Sequence, residues 1–146
     1  MAKILLMDDD AEFSAGFIDF LERAGNEVDW TRSASEATDR AHEEEYDLVI
    51  SDLYVFQGGL PVAEGGILLI HRLRSSDMLY SRQRRLRDIP ILVISGAQHA
   101  PGQGHILDMA ESVGADRGLA KPFTDREILI AIETLLAEPR PGLRTE

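Results

Sequence analysis

The sequence predicts an α/β domain in which helices cover both faces of a five-stranded parallel sheet, a doubly wound (βα)5 sandwich of three layers. Short apolar runs alternate along the chain with segments whose apolar residues recur at helical spacing. Three of the runs are almost entirely aliphatic, which is typical of strands buried on both faces of a parallel sheet. A strand-then-helix order that repeats five times favours parallel strands joined by helices.

The first part of the chain predicts three strands and two helices. Ile4–Met7 is an apolar run that stops at acidic residues, and Leu48–Ile50 is a second buried strand that ends at Ser51. Val28 and Trp30 alternate with polar neighbours, as expected of a strand nearer the sheet edge. The helical segments have small or apolar residues at helical spacing: Phe13, Phe17, Phe20, Leu21 and Ala24 in the first, and Ala34, Ala37 and Ala41 in the second.

Helix ends are marked by residues that satisfy free backbone groups. Gly25 follows the first helix as a C-terminal stop, and Asp10 is predicted to cap its start. Ser33–Glu36 and Thr124–Glu127 each begin with a hydroxyl and end with a carboxylate, which predicts capping boxes at two further helix starts.

The second part of the chain predicts the remaining elements. A glycine-containing loop over residues 53–65 leads to a third helix at Ile67–Leu73, and Ile91–Ile94 is a third buried strand. We expect a helix around Ile106–Val113 and a weak strand over Arg117–Ala120. The apolar face of the last helix is expected at Ile128, Ile132, Leu135 and Leu136. The domain is thus predicted to span residues 1–137, with a flexible tail over residues 138–146.

Composition argues against several classes of protein. A chain of 146 residues suits one domain, and the absence of cysteine excludes disulfides and thiolate metal sites. No apolar stretch is long enough to span a bilayer or resembles a secretion signal, so we expect a cytoplasmic protein without membrane insertion. The net charge of -11 disfavours direct binding to nucleic acid. Six arginines between residues 72 and 87 are interpreted as a solvated segment that pairs with acidic neighbours, with a docking patch as the alternative.

Polar and charged residues follow the carboxyl ends of four predicted strands. Asp8 and Asp9 follow the first, Asp52 the third, Ser95 the fourth and Lys121 the fifth. A doubly wound sheet brings such residues to one edge. Clustered carboxylates repel one another and favour a bound cation, and oxygen ligands suit Mg²⁺. Phosphoryl transfer depends mainly on positioning and charge stabilisation, which carboxylates, a hydroxyl and an ammonium group can provide.

Five motifs, in this order, resemble the receiver domain of two-component response regulators, a CheY-like domain with a flavodoxin-like fold. They are Lys3–Asp10 (KILLMDDD), Asp47–Leu53 (DLVISDL), Gly66–Arg74 (GILLIHRLR), Pro90–Ala97 (PILVISGA) and Gly114–Phe123 (GADRGLAKPF). The resemblance covers residues 2–137, and the ordered set is far more specific than any single motif.

The resemblance implies a phosphoryl acceptor and a metal site. Asp52 would be the phosphoacceptor nucleophile, Asp9 would bind Mg²⁺ directly, and Asp8 would bind it largely through water. The backbone carbonyl of Tyr54 would complete the metal shell, to which Asp52 would also contribute.

The resemblance also implies roles at the other two strand ends, and partners. Ser95 would hydrogen-bond the phosphoryl group and Lys121 would pair with it, with Pro122 shaping the turn. The donor would be a phosphohistidine on a sensor histidine kinase or a phosphotransfer protein. We expect a single-domain signalling protein rather than a conventional enzyme, with Mg²⁺-dependent self-phosphorylation and slow self-dephosphorylation. Its output would be altered binding to a downstream protein, and a homodimer is also open.

Two departures from the family pattern leave alternatives open. Val55 and Phe56 replace the usual Met-Pro, and the loop 53–65 is longer than usual, so it is either a lid or docking element or a tolerated insertion. Gly118 replaces the aromatic residue that the family commonly has three positions before the lysine. A phosphorylation-independent interaction module is therefore the main alternative function. A small Mg²⁺-dependent hydrolase is a more distant one, because Tyr54 stands where such enzymes usually have a second acid.

Overall fold

The chain forms one five-stranded parallel sheet with helices on both faces, which confirms the predicted fold class. The structure is a computed structural model that describes residues 1–53, 55–57, 60–62, 65–75, 86–96, 112 and 114–137. The sheet strands are β1 (Lys3–Met7), β2 (Glu27–Thr31), β3 (Leu48–Asp52), β6 (Ile91–Gly96) and β7 (Arg117–Lys121). Their order is β2-β1-β3-β6-β7, so β2 is an edge strand, as its alternating pattern predicted.

Four α-helices accompany the sheet among the described residues. They are α1 (Ala11–Arg23), α2 (Ala34–Glu43), α3 (Gly66–Arg74) and α4 (Asp125–Ala137). A short 3-10 helix, Leu86–Asp88, precedes β6. No helix in the described part of the chain is long and apolar enough to cross a membrane.

Successive residues of each central strand face two separate cores. In β1, Leu5 and Met7 pack with the buried residues of α2 and α3, whereas Ile4 and Leu6 pack with those of α1 and α4. All four of these side chains are fully buried. Burying a side chain of this size contributes roughly 1.5–3 kcal/mol. The aliphatic runs are therefore explained by burial on both faces of the sheet.

Residues predicted to cap helices make capping hydrogen bonds. At the start of α2 the Ser33 hydroxyl accepts from the Glu36 amide, but the Glu36 carboxylate accepts from the Arg32 amide. The Asp10 side chain accepts a hydrogen bond from the Phe13 amide, and Gly25 follows α1 with a φ of 100°. The Thr124 hydroxyl accepts from the Glu127 amide while the Glu127 carboxylate accepts from the Thr124 amide, a reciprocal capping box. The boundaries of α1 and α4 thus follow from local chemistry that is visible in the sequence.

The structure corrects two predictions. The segment predicted as a loop contains an antiparallel hairpin, β4 (Val55–Gln57) and β5 (Leu60–Val62), in which Gln57 pairs with Leu60. Leu136, predicted on the buried face of α4, is 40% exposed, and Ala131 is buried instead. The predicted helix around Ile106–Val113, the tail and Tyr54 lie outside the described residues, apart from Ser112 and its helical backbone.

One arginine of the predicted cluster joins three elements at the amino edge of the sheet. Arg74 donates to the carbonyl oxygens of Gly114, Arg87 and Ile89 over 2.7–2.9 Å, and pairs with Asp116 at 3.0 Å. Arg74 thus pairs with an acidic neighbour as predicted, but its side chain is largely buried rather than solvated. Arg82, Arg84 and Arg85 of the same cluster lie outside the described residues.

Candidate functional site

The five residues singled out at strand ends lie at the carboxyl edge of the sheet. Asp8 and Asp9 follow β1, Asp52 is the last residue of β3, and Lys121 is the last residue of β7. Ser95 lies near the end of β6, where it pairs with Ala120. Because β1 and β3 are neighbours whose connections leave in opposite directions, this edge has the crevice in which doubly wound sheets bind ligands.

Three carboxylates converge there. Asp8 is fully buried, Asp52 is 9% exposed, and Asp9 is half-buried. One oxygen from each lies within 4.8 Å of the others. An Mg²⁺ ion holds oxygen ligands at about 2.1 Å, so two of them can be about 4.2 Å apart across the ion. The cluster therefore fits a hard divalent cation that keeps part of its water shell.

Lys121 faces the same cluster from the end of β7. Its Nζ donates to Asp8 Oδ2 over 2.9 Å and lies 4.0 Å from the centre of the Phe13 ring. Phe13 packs in turn against Phe17 and Phe123, whose rings help to fix the position of the ammonium group. The peptide bond that joins Lys121 to Pro122 is cis.

The surroundings of the carboxylates alter their proton affinities. Burial raises the pKa of Asp52 to about 7, with the charges of Asp8 and Asp9 adding to the rise and that of Lys121 opposing it. Burial also raises the pKa of Asp8, although the Lys121 ammonium opposes that shift. Without a cation, the site therefore disfavours simultaneous ionisation of its carboxyl groups.

Close backbone contacts join the end of β3 to the start of α3. The Gly66 amide donates to the Leu53 carbonyl over 3.1 Å, and the Ser51 hydroxyl donates to the Asp52 carbonyl over 2.9 Å. A Cβ atom on Gly66 would lie 2.0 Å from the Asp52 carbonyl oxygen. Only glycine fits this contact, which explains why Gly66 stands there despite the long insertion before it.

Two side chains that the sequence did not predict at the site contact its backbone. The Trp30 indole N–H donates to the Asp8 backbone carbonyl over 2.9 Å, and the Arg32 guanidinium donates to the Asp9 carbonyl over 3.3 Å. The sequence predicts core or strand-edge packing for Trp30, and nothing in its alternating pattern marks a hydrogen bond to a residue 22 positions away.

Two other positions complete the description. Ser95 is 3% exposed, so its hydroxyl is buried beside the carboxylate edge. Gly118 pairs with Val93 inside β7 and has no side chain that could reach the site. The Tyr54 carbonyl, the remaining predicted metal ligand, lies outside the described residues.

Comparisons with known proteins place this architecture in one family. A family model described as the response regulator receiver domain matches residues 4–133. The virulence transcriptional regulatory protein PhoP of Salmonella choleraesuis is 31% identical over 136 residues, which are 93% of this chain and 52% of PhoP. The transcriptional regulatory protein PhoP of Escherichia coli is 30% identical, with similar coverage. The chain thus spans about half the length of the curated relatives it matches.

Two solved structures share the fold. The receiver domain of the Pseudomonas aeruginosa sensor histidine kinase PA1611, which has a magnesium ion coordinated in its active site cleft, superimposes with a TM-score of 0.74 at 20% identity. That likeness covers 94% of this chain and 98% of the other. The Vibrio cholerae chemotaxis protein CheY4 gives a TM-score of 0.70 at 24% identity and covers 92% and 98%.

Proposed function

Since this chain belongs to the response regulator receiver domain family, we propose that it accepts a phosphoryl group on Asp52 from a phosphohistidine. The donor would lie on a sensor histidine kinase or a phosphotransfer protein. The observation that carries the proposal is the convergence of Asp8, Asp9 and Asp52 within 4.8 Å at the strand ends, with Lys121 bonded to the first. Receiver domains are signalling domains rather than conventional enzymes.

The proposed transfer forms one bond and breaks another. A carboxylate oxygen of Asp52 attacks phosphorus, the bond between phosphorus and the donor imidazole nitrogen breaks, and that nitrogen keeps the electron pair. The product is an acyl phosphate on Asp52. Because the pKa of Asp52 is raised to about 7, the nucleophilic form is only partly populated near neutral pH without a cation. Lys121 and Ser95 are placed at the neighbouring strand ends, where they can hold phosphoryl oxygens.

The cofactor of this proposal is Mg²⁺. Asp9 would bind it directly, Asp8 largely through water, and Asp52 and the Tyr54 carbonyl would complete the protein ligands. When bound, the ion would neutralise charge on the phosphoryl group and the carboxylates. The clustered carboxylate oxygens support this assignment because they form a hard donor set with the Lys121 ammonium group opposite.

The output of the proposed switch is a change in binding to a downstream protein. Slow self-dephosphorylation, assisted by the same Mg²⁺ site, would return the domain to its starting state.

The decisive test is covalent labelling followed by intact mass. Acetyl phosphate, a small phosphodonor, is added with and without Mg²⁺ to the wild type, to Asp52→Asn and to Asp19→Asn, a control on the exposed face of α1. We expect one Mg²⁺-dependent phosphoryl addition in the wild type and in the control, and none in Asp52→Asn. Labelling that persisted in Asp52→Asn would exclude Asp52 as the acceptor.

Gly118 supports a second candidate function, a binding module that works without phosphorylation. With glycine paired to Val93 in β7, the strand has no aromatic side chain there to couple the site to its surroundings. This candidate predicts that Asp52→Asn leaves affinity for the partner unchanged, whereas the switch predicts loss of its phosphorylation-dependent component. Partner affinity with and without acetyl phosphate distinguishes the two.

A further inference from the structure

The edge strand β2 contributes side chains to the backbone that follows β1. Asp8 N donates to the Thr31 carbonyl, and the strand pairing ends with Met7 opposite Thr31. Beyond this point two side chains from the end of β2 continue the contact. Trp30 reaches the Asp8 carbonyl and Arg32 reaches the Asp9 carbonyl.

The hydrogen bond from Trp30 is made to the peptide unit between the two acidic residues Asp8 and Asp9. The Asp8 carbonyl belongs to the planar peptide that joins Asp8 to Asp9, and the orientation of this plane sets the relative directions of the two side chains. Arg32 lies over the Trp30 ring, 5.6 Å from its centre, and so restricts movement of the indole. A hydrogen bond to this peptide therefore holds the acidic pair in one arrangement.

Trp30 lies at the surface of the edge strand β2. It is 37% exposed, and it borders an open groove of about 480 Å³ next to α2. Here the ring remains at the surface while its one polar atom is directed to the Asp8 carbonyl.

We infer that Trp30 is a positioning residue for the divalent-cation site, acting through the peptide between Asp8 and Asp9. The inference rests on the proposed function, because it assumes that these carboxylates bind Mg²⁺. Trp30 would not itself be a ligand of the ion. It fixes the relative orientation of Asp8 and Asp9, so less free energy would be needed to arrange their carboxylates for binding.

Replacement of Trp30 by phenylalanine tests this directly. Trp30→Phe keeps an aromatic ring but removes the N–H donor, and it leaves the net charge unchanged, so electrostatic attraction of Mg²⁺ stays the same. The matched control is Tyr46→Phe. It removes the hydroxyl that donates to Asp29, which lies on β2 like Trp30, but this hydrogen bond does not involve Asp8 or Asp9. Mg²⁺ is titrated into each metal-free protein by calorimetry, and circular dichroism confirms that each is folded.

We expect Trp30→Phe to bind Mg²⁺ about tenfold more weakly, the lower end of the range for losing an outer hydrogen-bond partner of a metal ligand. Tyr46→Phe should bind it as the wild type does. Equal affinity in wild type and Trp30→Phe would overturn the inference while leaving the proposed function intact, and so would equal weakening in both variants. A wild type that binds no Mg²⁺ would overturn both.

Discussion

At Asp52, burial and the neighbouring carboxylates act in the same direction on the pKa, and the Lys121 ammonium opposes them. Burial and the carboxylates of Asp8 and Asp9 favour the protonated acid, and only Lys121 and a backbone amide favour the carboxylate. The carboxylate form of Asp52, which is the nucleophile of the proposed reaction, is therefore disfavoured in the metal-free protein. A bound cation would stabilise that form and would thereby increase the nucleophilic fraction.

This residue makes stability depend on pH. Because the pKa of Asp52 is about 7 in the folded protein, against an ordinary value of 3.8, the folded state binds this proton more tightly than the unfolded state does. The contribution of Asp52 to the free energy of unfolding therefore becomes increasingly unfavourable to the folded state as pH rises from about 4 to about 7. Asparagine resembles the neutral acid and avoids this cost.

We expect Asp52→Asn to be more stable than the wild type in metal-free buffer at pH 8, and the advantage to shrink by about 1–3 kcal/mol at pH 5. Urea unfolding at both pH values measures the difference. Mg²⁺ at pH 8 should narrow the gap, since the cation offsets the same repulsion. A gap that stayed constant with pH would show that the Asp52 carboxyl is not destabilised by burial.

The close contact of α3 with β3 is the main constraint at the scale of elements. The hairpin β4–β5 stands between them in the chain, yet α3 still begins directly against the Asp52 carbonyl. An insertion costs little loop entropy when its ends are held in place, and the hairpin provides much of its own backbone pairing. The position of α3 therefore depends on Gly66 rather than on the length of the connection.

Substitution of Gly66 by alanine should be destabilising. Its Cβ would meet the Asp52 carbonyl oxygen at 2.0 Å and the Ser51 hydroxyl at 2.8 Å, so the backbone of α3 must shift. We expect a loss of about 2–3 kcal/mol in the free energy of unfolding. Gly16→Ala in α1 is the matched control, because nothing lies within 4 Å of its new Cβ.

Thermal and urea unfolding measure the free energy of unfolding of the two glycine variants relative to the wild type. Gly16→Ala should be neutral or stabilising by about 0.5–1 kcal/mol, since alanine favours helix more than glycine does. If Gly66→Ala were as stable as Gly16→Ala, the close contact between the start of α3 and the end of β3 would be contradicted.

At the scale of the whole molecule, the two edges of the sheet differ in their effect on stability. The carboxyl edge gathers like charges that destabilise the metal-free protein, whereas the amino edge is tied together by Arg74. This arginine joins the end of α3 to the segments before β6 and β7, and its partner Asp116 also accepts from the Ile91 amide over 2.8 Å. The contacts of Arg74 therefore stabilise the fold at the edge opposite the carboxylate cluster.

Loss of this arginine should weaken the whole fold. Arg74→Met retains much of the side-chain volume but leaves three carbonyls and the Asp116 carboxylate without this donor. We expect a loss of about 2–4 kcal/mol, since the pair is mostly but not fully buried. Arg23→Met, at an exposed pair with Asp19, should change little. Equal urea midpoints for the two variants would contradict the proposed role of Arg74.

Local patterns in the sequence were sufficient to predict the five-stranded parallel sheet and the positions of the site residues at its carboxyl edge. Aliphatic runs identify the buried strands, and the hydroxyl and carboxylate at Thr124 and Glu127 mark the start of α4. Parallel topology then places Asp8, Asp52 and Lys121 at one edge without knowledge of any contact. These features are predictable because they depend on periodicity and strand direction alone.

Other features depend on contacts between residues far apart in the chain, and only the tertiary structure decided them. The bond from Trp30 to the Asp8 carbonyl spans 22 positions, and the bond from Arg74 to Gly114 spans 40. The raised pKa of Asp52 likewise depends on the burial and charges around it. The hairpin within residues 53–65 escaped prediction because its strands are only three residues long, too short for alternation to show. The spacing of apolar residues predicts which face of a strand or helix a side chain lies on. It does not predict which atom from a distant part of the chain that side chain contacts.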